Sequence, residues 1–364
     1  NDLKKRLRNK FLQIFGSSWA MPQAMKLRYE YARWVTIELY LVPDRNAPYR
    51  NFVEFQFGEK IVDFLKKYDD YAEQTWDEQS WKDVQREINE LFSDGYETIY
   101  VPAGRSLITL LTDQLVSILS SDEGRSLDFC MQAYVRRIIA LRSQIRGGFS
   151  HLLDEVLHTT QIKVDRETLR YMERLMKKVL HVRYSYDRGE EQLFFDDHRY
   201  VKINFSSSGQ QETIWVFNIL YFYLLQNQKV FLIVEEPEAH LYPDSQKGIA
   251  EAIGLFAGVG NQVFVTTHSP YILGQFNNML YAGAIEKKAK DGDAEKLHDI
   301  LNPLAYIKAA EAYAAYVCDG KVDSAVNEGL ICNELIDGAS IEINGEMDRL
   351  LELGWAMEGE AQNA

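Results

Sequence analysis

Two adjacent carboxylates follow a short apolar run in the second half of the chain. Residues 230–234 read VFLIV and lead directly into Glu235-Glu236-Pro237-Glu238. Burying such a run and ending it on two carboxylates is costly unless a cation or a reactive ligand meets them. In a nucleotide hydrolase, one carboxylate would hold the hydrated Mg²⁺ and its neighbour would orient the attacking water. A solvated strand end followed by a helix cap is the alternative interpretation.

A serine-rich segment precedes a predicted long helix over residues 210–226. Serine and glycine at a helix start supply a cap, close backbone approach and N–H groups at the positive end of the helix dipole. Such an end favours anions, so the segment is a candidate phosphate site, although many serine caps bind no ligand. The candidate cofactor-binding residues are Ser206, Ser207, Ser208, Gly209 and Gln210.

A histidine follows a second apolar strand, predicted over residues 262–267. The helix predicted over residues 245–256 separates the two strands, and this β-α-β spacing predicts a parallel sheet with right-handed crossovers. Neighbouring parallel strands would place His268 near Glu236 at one edge of the sheet. There a neutral imidazole can donate a hydrogen bond to a γ-phosphate. A lone histidine in such a position is more often structural.

Together these segments resemble the motifs of ABC-type ATPases. SSSGQ resembles the signature sequence, VFLIVEEPEAHLYP the Walker B strand with its D-loop, and TTHSPYIL the switch-histidine segment. Their order and spacing match that superfamily over residues 180–283. The form of these motifs is similar to that of the SMC-like and OLD-like bacterial branch of the superfamily. That branch includes the ATPase subunits of Septu, PARIS and retron-associated defence systems.

The resemblance implies a role for each matching residue and, as cofactors, ATP and Mg²⁺. Glu235 takes the metal-side role, Glu236 is the general base and His268 is the switch histidine. The signature residues would contact the γ-phosphate of a nucleotide held by a second subunit. His240 and Tyr242 occupy the D-loop position at that interface, where Tyr242 departs from the aspartate of transporters.

The segment VPAGRS, residues 101–106, resembles an element of defence-associated members of this branch. Arg105 is therefore a candidate for contact with nucleotide, nucleic acid or a subunit interface. An arginine that pairs with a surface carboxylate is the alternative interpretation.

The fold implied by the resemblance is α/β, a P-loop NTPase of ABC-head type with a mixed, largely parallel sheet and an inserted helical subdomain. Short strands are expected over residues 33–42, 51–57 and 181–205, helices over 107–119 and 341–353, and a hairpin over 314–325. The expected domains are an N-terminal ATPase lobe without Walker A (1–121), a helical insertion (122–180), the catalytic core (181–283) and a C-terminal lid or partner region (284–364).

Composition limits the classes of partner. The net charge of −14 disfavours a surface that coats DNA. We interpret two basic clusters, Lys4–Lys10 and Arg136–Arg146, as solvated helix faces. The widely spaced Cys130, Cys318 and Cys332 fit a reducing cytoplasm. No apolar run reaches the ~18–20 residues that cross a membrane, so we expect no membrane contact.

No Gly-x-x-x-x-Gly-Lys-Ser/Thr sequence occurs in the chain. Without that loop the β- and γ-phosphates lack a cradle and a lysine. We expect the loop in a segment that precedes Asn1, which is not an initiating methionine; a degenerate subunit is the alternative. These residues alone should therefore not hydrolyse ATP.

The leading functional hypothesis is an ATP-binding and hydrolysing subunit that forms homodimers or higher homo-oligomers around nucleotide and regulates a separate nuclease or toxin effector in bacterial antiphage defence. A DNA-repair or SMC-like DNA-associated ATPase is one alternative, although residues 122–180 are too short for long heptad arms. A non-hydrolysing scaffold is another, against which Glu236 argues. DNA or RNA binding remains open, and a transporter ATPase fits least well.

Overall fold

The structure, a computed structural model, divides the chain into two units. One consists of Asn1–Glu97 and Val116–Val135, the other of Thr98–Leu115 and Arg136–Ala364. The residues it describes are 2–15, 25–43, 51–69, 78–92, 95–106, 128–145, 147–159, 165–308 and 311–362. The helix expected over residues 107–119 lies outside these ranges.

The first unit is built on an antiparallel three-stranded sheet. Its elements are α1 (Asp2–Phe15), β1 (Lys26–Ala32), β2 (Val35–Pro43), β3 (Asn51–Phe57), α2 (Glu59–Asp69) and α3 (Glu78–Phe92). The strand order is β1-β2-β3, and Leu39 lies opposite Phe55 in the register. Alternate apolar side chains of β2 and β3 pack with Phe11 of α1 to form a small core.

One expected strand is divided in two by a turn. Residues 33–42 read as a single strand, but Arg33 and Trp34 form the turn between β1 and β2. Trp34 has a φ of 71°, a left-handed conformation that closes the hairpin. Strand composition does not reveal such a turn, because tryptophan is more typical of a strand than of this conformation.

The remaining elements belong mainly to the second unit. Along the chain they are β4 (Glu97–Val101), α4 (Phe129–Arg142), α5 (Phe149–Thr159), α6 (Arg166–Leu180), β5 (Arg183–Asp187), β6 (Glu190–Phe194), β7 (Tyr200–Lys202), α7 (Ser208–Gln226), β8 (Val230–Glu235), α8 (Pro243–Gly258), β9 (Gln262–Thr266), α9 (Pro270–Glu286), α10 (Asp291–Ile300), β10 (Ala315–Cys318), β11 (Lys321–Ser324), β12 (Val326–Asn327), β13 (Leu330–Ile331) and α11 (Asn333–Gln362).

A three-stranded sheet of order β4-β8-β9 positions the two motif-bearing strands. β8 and β9 are parallel, with Leu232 opposite Val263 and Glu235 opposite Thr266. Because the two strands are parallel, their carboxyl ends lie at the same edge of the sheet, and α8 forms the crossover between them. The parallel pair expected from the β-α-β spacing is confirmed. The short strands of residues 181–205 and the hairpin of residues 314–325 are also present, both antiparallel.

Two helices supply much of the packing around this sheet. α7 is buried on nearly all sides, which its almost continuous apolar run from Ile214 onward requires. α6 is amphipathic: Leu169, Met172, Met176 and Val179 recur at helical spacing and are buried. Its buried face packs against α7 and α8. α11 begins earlier and ends later than the helix expected over residues 341–353.

The basic cluster of residues 136–146 is only partly a solvated face: Arg136 is exposed as expected, Arg137 is half-buried, Arg142 is buried against that expectation, and Arg146 lies outside the described residues. Arg142 is buried and its Nη2 lies 2.6 Å from Glu191 Oε2. Arg137 Nη1 donates to the Tyr223 hydroxyl at 2.7 Å. A buried carboxylate and a buried aromatic hydroxyl need such partners, and both come from distant segments that sequence order does not reveal.

Within the described ranges, no helix combines the length and apolar character that crossing a membrane requires.

The start of α6 carries a testable cap. Asp165 accepts hydrogen bonds from the Thr168 hydroxyl at 2.7 Å and from the backbone N–H of Glu167 at 3.0 Å. These bonds, the Thr168 bond foremost, lower the pKa of the Asp165 carboxyl from its usual value. We expect Asp165→Ala to lower the free energy of unfolding by about 1 kcal/mol at pH 7, as for other helix caps.

The same variant predicts a pH dependence. Because the folded-state pKa of Asp165 is depressed, its stabilisation is present above the unfolded pKa and is lost as pH falls through the folded pKa. The difference between the Asp165→Ala and wild-type proteins should therefore shrink below about pH 4. Urea denaturation at pH 7, 4 and 3 measures it, with the exposed Asp63→Ala as control. A difference that is independent of pH would contradict this account.

Candidate active site

The end of β8 turns sharply before its second glutamate. Glu235 is the last residue of the strand, and the Glu236 N–H donates to the Thr266 carbonyl of β9 at 2.8 Å. Glu236 has a φ of 42°, in the left-handed region that costs free energy for a residue with a side chain. Glu236 therefore departs from the extended backbone of β8, and its side chain does not continue the regular alternation of the strand.

The structure brings Glu236 and His268 together. His268 Nε2 lies 3.7 Å from Glu236 Oε1, and their side chains are 90% and 42% exposed, respectively. Both groups are therefore open to a ligand. The proximity expected from parallel strands is confirmed, whereas the roles of general base and switch histidine remain predictions.

Glu235 is held differently from its neighbour. Its Oε2 accepts a hydrogen bond from the Ala103 N–H at 3.2 Å, and the residue is half-buried. The other carboxylate oxygen can still take part in a magnesium hydration shell. Mg²⁺ usually binds proteins through one or two carboxylates and takes its other ligands from water and phosphate. Glu235 and Glu236 fit that pattern, and no cluster of three or more metal-ligating side chains occurs among the described residues.

A third glutamate shapes the loop after β9, and the sequence did not single it out. Glu238 Oε1 accepts from the Thr267 hydroxyl at 2.6 Å and from the His268 N–H at 2.9 Å. The Thr267 hydroxyl in turn accepts from the Ser269 N–H. This network fixes the backbone from which His268 projects. The repeated acid in Glu-Glu-Pro-Glu is the signal that could have pointed to it.

The serine-rich segment forms the amino-terminal cap of α7. The Ser207 hydroxyl accepts from the Gln210 N–H at 3.3 Å, and the Gln210 side-chain oxygen accepts from the Ser207 N–H at 3.2 Å. This reciprocal pair is a capping box. Ser206 donates through its hydroxyl to the Ile203 carbonyl, while Ser208 is exposed. The cap is confirmed, and phosphate binding by these residues remains a prediction.

Gly209 joins this cap to the loop that follows β8. A Cβ on Gly209 would lie 2.6 Å from the His240 carbonyl oxygen, too close for any side chain. His240 itself is exposed and has a φ of 59°. Tyr242 is the cap residue of α8 and is 76% exposed. The residues that resemble a signature and a D-loop are thus adjacent within one chain.

Arg105 does not face a ligand or an interface, so the predicted contact is corrected. Its side chain is fully buried, with a relative exposure of 0%. Its Nε lies 3.4 Å from Glu212 Oε2, a carboxylate that is also buried. A charge that cannot reach solvent needs such a partner, and Glu212 comes from α7 rather than from the surface. The sequence interpretation assigned no role to Glu212. The available signal was an acidic residue at the start of a strongly apolar helix.

Comparison with known proteins agrees with this assembly of motifs. Residues 39–273 match the family described as "AAA ATPase domain". No curated protein matches the chain. Among solved structures, the chain is similar to the Smc head domain with an extended coiled coil, bound to the C-terminal domain of ScpA, from Pyrococcus furiosus. The identity is 12%, with 66% of this chain and 67% of that chain covered, and the TM-score of 0.27 is too low to establish a common fold.

Proposed function

Because the chain belongs to the AAA ATPase domain family, we propose that it is a Mg²⁺-dependent ATPase subunit of ABC type. In this proposal it self-associates around nucleotide and regulates a separate nuclease or toxin effector in bacterial antiphage defence. The adjacency of Glu236 and His268 at the carboxyl end of a parallel strand pair carries the hydrolytic part. Ligands of open α/β sheets bind at that edge.

The residues divide the work of hydrolysis between them. Glu236 accepts a proton from the attacking water, and its exposed carboxylate is available for that contact. His268 donates from its ring to the transferred phosphoryl group. Glu235 holds the hydration shell of Mg²⁺, which when bound supplies positive charge to the phosphate oxygens. No lysine-containing phosphate loop occurs in the sequence, so these residues account for hydrolysis at the γ-phosphate and not for contacts to the β-phosphate.

Self-association around nucleotide is supported by the exposed start of α7. Ser207 and Ser208 are exposed at the positive end of a nineteen-residue helix, where a phosphate of a second subunit would be stabilised. Tyr242, the cap residue of α8 and part of the segment that resembles a D-loop, is also exposed. These residues can meet a partner copy without repacking the core, while the Ser207 hydroxyl still accepts its capping hydrogen bond from Gln210.

Regulation of an effector is supported by the carboxyl-terminal helix. Ile343, Met347, Leu350 and Leu351 share one face of α11 at helical spacing, and all four are exposed. The helix carries eight acidic residues and one arginine, a net charge of −7, which is half that of the chain. Two such helices would repel each other, so the charge favours a basic partner protein over a second copy.

Nucleotide turnover by the full-length protein tests the proposal. We expect ATP hydrolysis that requires Mg²⁺ and stops in EDTA, and an ATP-dependent increase in mass by sedimentation velocity. The absence of ATP binding by the full-length protein would contradict it. Plaque counts on the native host with and without the gene test the defence role, and equal counts across a phage panel would remove that part alone.

A further inference from the structure

The buried guanidinium of Arg105 contacts the backbone of the two glutamates at the end of β8. Its Nη1 donates to the Glu235 carbonyl at 2.7 Å, and its Nη2 donates to the Glu236 carbonyl at 3.1 Å. The same Nη1 also donates to the Pro102 carbonyl at 2.7 Å. The two Nη atoms therefore hold three backbone oxygens, two of which belong to the proposed magnesium-binding residue and general base.

We propose that Arg105 is the positioning residue of Glu236 and that Glu212 holds Arg105 in place for this task. The inference rests on the proposed ATPase function. Arg105 touches neither substrate nor Mg²⁺ and acts through the backbone of the two glutamates. It fixes the direction in which the Glu236 carboxylate leaves the sheet.

The conformation of Glu236 explains why such a support is needed. Its φ of 42° is disfavoured for glutamate, so the turn persists only if its surroundings hold it. The N–H of Glu236 is fixed by Thr266, and its carbonyl by Arg105 and by the Ala239 N–H at 3.0 Å. Without the guanidinium, the backbone carbonyls of Glu235 and Glu236 lose the cation that they share. It can then relax toward an extended strand end, which turns the carboxylate away from His268.

Glu212 fixes the guanidinium from the other side. Its Oε2 accepts from the Arg105 N–H at 2.8 Å and its Oε1 from the Ser106 N–H at 2.9 Å. The Arg105 Nε donates to the Glu212 carbonyl at 2.9 Å. Glu212 lies in the first turns of α7, five residues after the Ser207 cap. The pair thus links the helix that carries the predicted phosphate contacts to the turn after β8 that carries the proposed general base.

Lysine cannot replace arginine in this arrangement. The guanidinium carries five N–H donors in one plane, which point in several directions. An ammonium is a single nitrogen with three donors, so it cannot reach all four carbonyl oxygens that Arg105 contacts. Arg105→Lys therefore keeps the charge beside Glu212 and loses the positioning bonds. Glu212→Gln keeps the size of the side chain but replaces one carboxylate oxygen by an amide NH₂. The N–H of Arg105 or of Ser106 then loses its acceptor.

A second buried pair provides a matched control. Arg142 and Glu191 are buried like Arg105 and Glu212, but they join α4 to β6 and make no contact described for the site. We compare Arg105→Lys and Glu212→Gln with Arg142→Lys and Glu191→Gln in the full-length protein. A merely structural role predicts similar losses from both pairs.

The kinetic expectation is a fall in kcat with little change in KM. A displacement of the base by about 1 Å costs on the order of 100-fold in rate, so we expect kcat for ATP to fall ~10–100-fold in the Arg105 and Glu212 variants. Their KM should stay within about twofold of wild type, since ground-state binding is untouched. The control variants should keep wild-type kcat.

Hydrogen exchange of residues 235–242 gives a readout independent of turnover. The amides of Glu236, Ala239 and Leu241 are hydrogen-bonded in this segment, and we expect them to exchange about tenfold faster in nucleotide-free Arg105→Lys. Unchanged exchange or unchanged kcat in that variant would overturn the positioning role, as would equal effects in the control pair. If Arg105→Lys does not fold, Glu212→Gln decides by the same measurements. If the wild-type protein does not hydrolyse ATP, the proposed function fails and exchange alone decides the role of Arg105.

Discussion

Glu236→Gln is expected to abolish steady-state phosphate release while leaving ATP binding intact. The amide keeps the shape of the carboxylate but cannot accept a proton from water, and general-base catalysis contributes about 10²–10⁴-fold in enzymes. Because hydrolysis no longer resets the nucleotide state, the ATP-dependent assembly should persist for longer than in the wild-type protein. Phosphate release and sedimentation velocity in the same buffer measure both quantities.

A matched glutamate separates loss of the base from loss of a surface charge. Glu190 is 41% exposed, close to the 42% of Glu236, and forms an ion pair with Lys202 on the neighbouring strand. Glu190→Gln should therefore hydrolyse ATP at the wild-type rate. Turnover by Glu236→Gln at the wild-type rate would mean that another group accepts the proton. Failure of that variant to bind ATP would mean that Glu236 serves nucleotide binding instead.

The local elements of this site could be predicted because their signals are local. The apolar run before Glu235 predicts β8, and the run before His268 predicts β9. Their separation by one helix length predicts a parallel pair. The parallel pair predicts that His268 lies near Glu236, but it does not predict the distance of 3.7 Å between their side chains. Hydrophobic spacing and chain connectivity are sufficient for this step.

The polar supports of the site could not be predicted because they join distant parts of the chain. Arg105 and Glu212 are 107 residues apart, and nothing in the composition around Arg105 distinguishes a buried arginine from a surface one. In the fold, four backbone carbonyl oxygens and the Glu212 carboxylate surround the Arg105 guanidinium. The same holds for Arg142, which looked like part of a solvated basic face. Charged residues that are paired inside a protein are recognised by their partners, and those partners are set by the tertiary fold.

Gly209→Ala is expected to reduce both ATP turnover and ATP-dependent association. The added Cβ would lie 2.6 Å from the His240 carbonyl oxygen, a backbone atom that cannot rotate away. The start of α7 must then move from the loop that follows β8, at a cost of about 1–3 kcal/mol. Since the predicted phosphate contacts lie at that helix start, we expect turnover to fall by roughly 100-fold. Phosphate release, sedimentation velocity and thermal unfolding measure the three effects.

The sign of the stability change makes this prediction specific. Gly292 is the second residue of α10, as Gly209 is of α7, and its Cβ would meet no atom within 4 Å. Alanine is favoured over glycine in helices by up to about 1 kcal/mol, so Gly292→Ala should be neutral or stabilising and should keep wild-type turnover. Gly209→Ala should show the opposite sign, because contact with His240 outweighs helix propensity. A stabilised and fully active Gly209→Ala protein would mean that α7 and the His240 loop need not touch during turnover, and the adjacency of the two motifs would then have no catalytic role.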